Sequence, residues 1–226
     1  MRGTITDGLS AGWPICFGYI PIGMAFGVLA QKAGLSPFEI GLMSILVFAG
    51  SSQFIAVSMM AAGASVLSII VTTFVVNLRH LLMSSSLAVY LTGEKRAKLS
   101  VFAYGVTDES FAVNLGRFQS GSWDLNKAIT VNQSANFTWF ISTVCGGYGG
   151  QYIPASAFGI DYALIAMFIC LLVFQLKARL YVVTGILAAL LAVAFSFLIP
   201  GNLYVVIASI LSATIGLFAR RIGKGK

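Results

Sequence analysis

Apolar residues fill most of this chain in long blocks, separated by short polar joints. Seven blocks come close to the ~20 residues that ~30 Å of hydrocarbon requires: 13–30, 38–60, 65–91, 129–149, 158–176, 180–198 and 203–218. Between the third and fourth lies a half-apolar piece, 99–118, which fits an in-plane helix, a re-entrant segment or an eighth span. The pattern predicts an all-α, polytopic helical membrane protein of about seven transmembrane helices, with residues 1–226 forming a single transmembrane domain.

A short self-similarity bears on the layout. Gly34-Leu35-Ser36-Pro37-Phe38-Glu39 opens the second block, and Gly159-Ile160-Asp161-Tyr162 opens the fifth, 125 residues later (159 − 34). Ser36, with Pro37 at the first helical position and Glu39 three residues on, is a capping-box start. Asp161 can serve as the N-cap of the second copy. With three spans between equivalents, the two copies have opposite orientations, as in many secondary transporters. The expected layout is a repeat over about 12–92, a connecting segment over 93–127, a second repeat over about 128–199 and a last helix at 203–219.

Composition narrows the class. The chain is 58% hydrophobic and 9% charged, with a mean hydropathy of +0.91. Soluble domains carry about a quarter charged residues, so little room remains for one here. The net charge of +7 sits in the joints between blocks and reads as topology, excluding a nucleic-acid partner. Suppose that 99–118 does not cross and the C-terminus is cytoplasmic. Then Lys32, Lys95, Arg96, Lys98, Arg117, Lys127, Lys177, Arg179, Arg220, Arg221, Lys224 and Lys226 lie inside, with Arg2 outside and Arg79 within the membrane. If it crosses, Lys32, Lys95, Arg96 and Lys98 move outside. The positive-inside rule therefore predicts seven spans, with the N-terminus outside and the C-terminus cytoplasmic. Residues 1–10 make a poor signal peptide. Cys16, Cys145 and Cys170 lie in apolar runs and read as small buried hydrophobes. Metal-ligand spacing is lacking, and no metal or cofactor is expected.

Polar residues inside the blocks are the candidate chemistry. Asn77-Leu78-Arg79-His80 holds the only histidine and an arginine at membrane depth. An intramembrane arginine costs roughly 2.5–3.5 kcal/mol on insertion scales and marks a functional site by default. Asn77 and His80 share a helix face that Ser84 continues, while Arg79 lies about 100° round from His80. The guanidinium fork suits a carboxylate, from a substrate or from Asp108 or Glu109 in Thr107-Asp108-Glu109-Ser110-Phe111. His80 could carry a proton. Ser51, Ser52 and Gln53 place hydrogen-bonding groups mid-block, either as site or as helix glue. Pro21 and Gly23, after Trp13-Pro14, interrupt the first block, either as a broken helix lining a site or as a kink. Gly146-Gly147-Tyr148-Gly149-Gly150 could mark an unwound end, and no phosphate-loop Lys-Ser follows it.

Together, Pro21-Ile22-Gly23-Met24-Ala25-Phe26-Gly27, Phe48-Ala49-Gly50-Ser51-Ser52-Gln53-Phe54, Asn77-Leu78-Arg79-His80 and Thr107-Asp108-Glu109-Ser110-Phe111 resemble the AzlC family of bacterial inner-membrane proteins. The likeness covers most of the chain, in order; the region after Gly150 is generic. The resemblance implies export of branched-chain amino acids, chiefly L-valine, with methionine also proposed, beside a small AzlD-type membrane subunit. An ATPase partner is not supported, since no nucleotide-binding motif or coupling loop is visible.

The residues alone point the same way. A zwitterionic amino acid needs a cationic partner, an acceptor-rich partner and an apolar pocket. A proton-driven secondary transporter in the bacterial inner membrane is the reading that follows. A passive channel or a structural subunit of a membrane complex is the alternative. An enzyme is disfavoured: the chain has no nucleophile elbow and no His-Glu-x-x-His.

Overall fold

The computed structural model describes residues 2–152, 179–198 and 203–224, with isolated positions at 162, 169, 173 and 176. All regular elements longer than a turn among these are helices: α1 (Arg2–Lys32), α2 (Pro37–Leu46), α3 (Gly50–Ala61), α4 (Val66–Ala88), α5 (Arg96–Tyr104), α6 (Asp108–Gln119), α7 (Leu125–Gly149), α8 (Arg179–Ser196) and α9 (Leu203–Lys224). The chain divides into two compact units, one of residues 1–65 and 76–164, the other of 66–75 and 165–226.

The first unit is built on α1 and α7. Small residues let the two helices approach backbone to backbone. A Cβ at Gly8 would meet Thr130, one at Gly12 Ser134 and Val131, one at Gly23 Ser142, and one at Gly27 Thr143 and Gly147. Residue numbers rise together along both helices, so α1 and α7 are parallel. Pro14 and Pro21 lie inside a helix that stays continuous, so of the two readings of the first block the broken helix is not the one adopted. Proline removes one hydrogen bond, and the rest of a 31-residue helix holds. The glycine run does not unwind either: Gly146 and Gly147 are helical and meet Met24 and Ile40.

The expected second span, 38–60, is two helices. Ser36 accepts from the Glu39 amide while Glu39 accepts from Ser36, the capping box read from the sequence. From there α2 descends beside α7: Gly147 lies against Ile40 and Pro37, Gly41 against Val144 and Phe140, and Ser44 bonds Thr143 at 2.8 Å. At 47–49 the helix stops, and Phe48 takes φ 36. α3 then turns back. Gln53 donates to Ser44, nine residues earlier, and Phe54 packs on Phe26 of α1 with ring centroids 5.1 Å apart. Ten and twelve residues make about 15 and 18 Å of helix, half a bilayer each.

Residues 99–118 form a second hairpin of the same kind, entering from the opposite end. α5 rises with α7: Lys98 bonds Asn126, Phe102 bonds Asn132 and Tyr104 bonds Asn136. After a break at 105–107, Thr107 caps α6, with a reciprocal bond to Ser110. α6 returns along α7, Asn114 bonding Asn132 at 2.9 Å. Its end joins Leu87 of α4 in an apolar cluster with Leu91, Phe102, Val106, Phe118, Leu125 and Ala128. Hence the last turns of α4 lie at the start of α7, and α4 runs antiparallel to it.

Three helices, Gly3–Lys32, Val66–Ala88 and Arg179–Ser196, are long and apolar enough to cross a membrane. In the second unit, α9 packs on α8 through Gly216, where a Cβ would stand 2.6 Å from Thr184 Oγ1. The expected fifth span, 158–176, with Asp161 and Cys170, lies outside the described residues but for 162, 169, 173 and 176.

Candidate functional site

Both hairpin breaks sit beside the middle of α4. Arg79 reaches each of them. Its Nη1 pairs with Asp108 Oδ2 at 2.8 Å, and its Nη2 donates to Ser51 Oγ. Asp108 is the first residue of α6 and Ser51 the second of α3. A carboxylate at a helix start is stabilised by the helix dipole, so Asp108 is held by the arginine and by its own helix. The pair is not sealed: the two side chains keep 28% and 27% of their surface.

One residue on, Glu109 faces α1 instead. Tyr19 OH lies 2.7 Å from Glu109 Oε2 and 2.9 Å from Thr107 Oγ1. Tyr19 itself is buried against the edge of Trp139, with ring centroids 5.2 Å apart. The two adjacent acids thus point to different helices, one at an arginine and one at a phenol. Around them Asn77 Oδ1, Arg79 Nε and His80 Nε2 are buried with no hydrogen-bond partner among the described residues. His80 stands beside the backbone of Val106 in the second break. Donors and acceptors of both signs therefore converge within a few residues of two helix starts. Such a set can clasp a small zwitterion, one pole on Arg79 and the other on Glu109.

The remaining candidates are positioned elsewhere. Ser52 donates to Ala49 O across the first break. Gln53 is fully buried and turns to Trp139 Nε1 at 3.0 Å and to Ser44, away from Arg79. Gly23 is packed on Ser142, and Pro21 is exposed on α1. Sequence reasoning missed Tyr19 and Tyr104. A tyrosine in an apolar block is ordinary, so no signal set them apart. Among the described residues no group of His, Cys, Asp and Glu could hold a metal ion.

The sequence model of the AzlC protein matches residues 14–153, a stretch that contains both hairpins and every residue of this cluster. The inner membrane protein YgaZ of Escherichia coli is 32% identical over 206 residues, covering 87% of this chain and 84% of that protein. The chain belongs to the AzlC family. Other AzlC-like relatives are the branched-chain amino acid transport protein AzlC of Bacillus subtilis, 26% identical over 85% of this chain and 76% of that protein, and a membrane protein of Archaeoglobus fulgidus, 32% identical over 84% of each. No solved structure matches the chain. The AzlC match ends at 153, so it covers most of the first unit and, of the second, only residues 66–75.

Proposed function

We propose that this AzlC-family protein is a secondary transporter that exports branched-chain amino acids, L-valine above all and methionine as well, driven by the proton gradient. A small AzlD-type membrane subunit works beside it. The observation that carries the reading is the Arg79 cluster at the starts of two half-length helices. Charge at membrane depth belongs to substrate or ion pathways. Half-helices whose N-termini meet there are the usual way a transporter offers polar groups to a substrate. The name of the B. subtilis relative supports the substrate class.

In this reading Arg79 takes the substrate carboxylate, exchanging part of its bond to Asp108 or Ser51 for it. Glu109 takes the ammonium, released from Tyr19. Asp108 or His80 carries the coupling proton. Apolar side chains such as Phe48 and Phe26 flank the path. A passive channel is the rival and would lack the proton dependence.

The basic residues orient the first unit. Because α1 is parallel to α7, Arg2 belongs with Lys95, Arg96, Lys98, Arg117 and Lys127 at one end, leaving Lys32 at the other. The positive-inside rule makes the richer end cytoplasmic. In this reading the N-terminus is cytoplasmic, whereas counting 38–60 as a span puts it outside.

The test is efflux from cells loaded with a valine dipeptide. Arg79→Ala and Glu109→Gln are each expected to lower export at least tenfold at equal membrane abundance. Collapse of the proton gradient should slow the wild type. Wild-type export by both variants would remove the assignment of the poles; export indifferent to the gradient would favour the channel.

A further inference from the structure

Helix boundaries recur along the first unit. α1 ends at 32 and α4 at 88, a spacing of 56 (88 − 32). The first hairpin helices start at 37 and 96 and end at 46 and 104, spacings of 59 and 58. The return helices start at 50 and 108 and end at 61 and 119, 58 in both cases. Each hairpin breaks over three residues, 47–49 and 105–107. Direction is reversed between the copies: α1 is parallel to α7 and α4 antiparallel, and the hairpins enter from opposite ends. Sequence likeness at this spacing is slight, so the repeat lies in the fold and not in the residues.

Two contacts cross between the copies in reciprocal fashion. Tyr19 of α1 bonds the start of α6, through Thr107 and Glu109. Arg79 of α4 bonds the start of α3, through Ser51. Each long helix therefore holds the return helix of the other copy by its N-terminus. The two breaks also touch. Tyr104 OH donates to Ile45 O, a carbonyl left free where α2 ends, and the Tyr104 ring stands 6.1 Å from that of Phe48. Phe48 has a positive φ of 36, the one such non-glycine residue among those described. A strained residue persists where its surroundings over-determine it, and such residues gather at clamps and switches.

We infer that 2–119 is an inverted repeat, α1–α3 and α4–α6, whose two half-membrane hairpins are opposed gates, and that Tyr104 on Ile45 and Phe48 is the latch that parts them. The inference rests on the transport reading for the gating and on the helix geometry alone for the repeat. α7, held to α1 by glycine packing, is the fixed wall: its first half carries the second hairpin and its second half the first. A path through the molecule must pass between the hairpin tips, since the Arg79 cluster lies at both breaks. Opening towards one face means withdrawing one hairpin, and the reciprocal contacts let the other stay.

Two experiments test it, in a background lacking Cys16, Cys145 and Cys170. Single cysteines at Gly3, Lys32, Ala62, Glu94 and Ser122 are labelled with a membrane-impermeant maleimide on intact cells and on inverted vesicles. The repeat requires Lys32→Cys and Ala62→Cys to react from one face, and Gly3→Cys, Glu94→Cys and Ser122→Cys from the other, each at least tenfold over the opposite preparation. Reaction of positions 32 and 62 from opposite faces overturns the repeat. For the latch, a Phe48→Cys, Tyr104→Cys pair is oxidised and then reduced, with valine efflux as readout. Export should fall to background on cross-linking and return on reduction; equal export in both states overturns the latch. Should the pair not export when reduced, Tyr104→Phe decides. It keeps the ring and loses the bond to Ile45, and is expected to raise gradient-independent valine flux several-fold; unchanged flux overturns the latch. Absence of amino-acid transport in every variant and the wild type, with labelling as required, removes the transport reading and the gate with it and leaves the repeat standing.

Discussion

Gly27 is the tightest point of the α1–α7 groove. A Cβ there would stand 2.6 Å from Gly147 N and 2.8 Å from Gly146 C, and closer still to Thr143 O. All three obstacles are backbone of α7, so no rotamer change can make room. Ordinary van der Waals contact begins at about 3.5 Å, and Gly27→Ala therefore drives the helices apart by roughly 1 Å. A gap of about 0.5–1 Å forfeits a quarter to a half of the dispersion well for each facing pair. The loss spreads along the groove, because Gly8, Gly12 and Gly23 use the same approach. Overpacking of this kind costs about 1–3 kcal/mol, against about 0.8–1 kcal/mol that alanine returns as a better helix former.

Gly18 supplies the control. It lies on the same helix with nothing within 4 Å of its Cβ position, so Gly18→Ala carries the propensity gain alone. The difference between the two variants is then the packing term, about 1–3 kcal/mol. For a protein of this size each kcal/mol moves Tm by about 2–4 °C. Thermal unfolding of the purified proteins in detergent should show Gly18→Ala at or above the wild type and Gly27→Ala lower than Gly18→Ala by several degrees. Equal melting of the two variants would refute the parallel packing of α1 on α7, and with it the placement of Tyr19 beside Glu109.

Two further predictions concern the polar groups. The Arg79–Asp108 pair is partly exposed at 28% and 27%, so its coupling should fall between the ~0.2–1 kcal/mol of surface pairs and the ~3–5 kcal/mol of sealed ones. In unfolding measurements Arg79→Ala and Asp108→Ala should each destabilise more than half as much as the double variant, while the double variant still fails to export; strictly additive losses would break the pairing. Gln53→Leu should cost about 1–3 kcal/mol by stranding the Trp139 indole N–H, and adding Trp139→Phe should recover part of it. No recovery would mean that Gln53 serves something other than this bond.

Much of this was legible in the residues, for reasons that differ from place to place. The capping box at Ser36 and Glu39 is local, fixed by four consecutive positions, and the structure has it. Arg79 and Asp108 stood out because ionised groups are costly in lipid, and they are paired. The second block misled because hydropathy registers length and not direction. Two half-helices of ten and twelve residues joined by an apolar Val47-Phe48-Ala49 have the length of a single span. Nothing in the composition of that joint marks a reversal; Phe48, with its positive φ, is held there by tertiary contacts. The orientation of α1 was lost with it, because one span fewer between α1 and α7 turns an antiparallel pair into a parallel one. Pro21 and Gly23 misled in the other direction: residues that interrupt helices in water are tolerated where a neighbour packs on them, as Ser142 does on Gly23.

Two physical demands meet at the breaks. A bilayer requires every backbone group to be satisfied within the protein, and a polar substrate requires groups that are not fully satisfied. A continuous helix meets the first demand and defeats the second. A half-helix brings its free N–H groups to mid-depth, but its partner leaves free carbonyls at the same place. Here those carbonyls have partners: Tyr104 bonds Ile45 O at the end of α2, and Gln133 and Asn132 bond Val101 O and Phe102 O at the end of α5. The acceptors released by the breaks are thus consumed by neighbouring side chains, while Arg79 Nε, Asn77 Oδ1 and His80 Nε2 keep unspent capacity beside the two helix starts. In the proposed transport cycle these groups of α4, together with Glu109 of α6, would meet the substrate, and the hairpins would admit it.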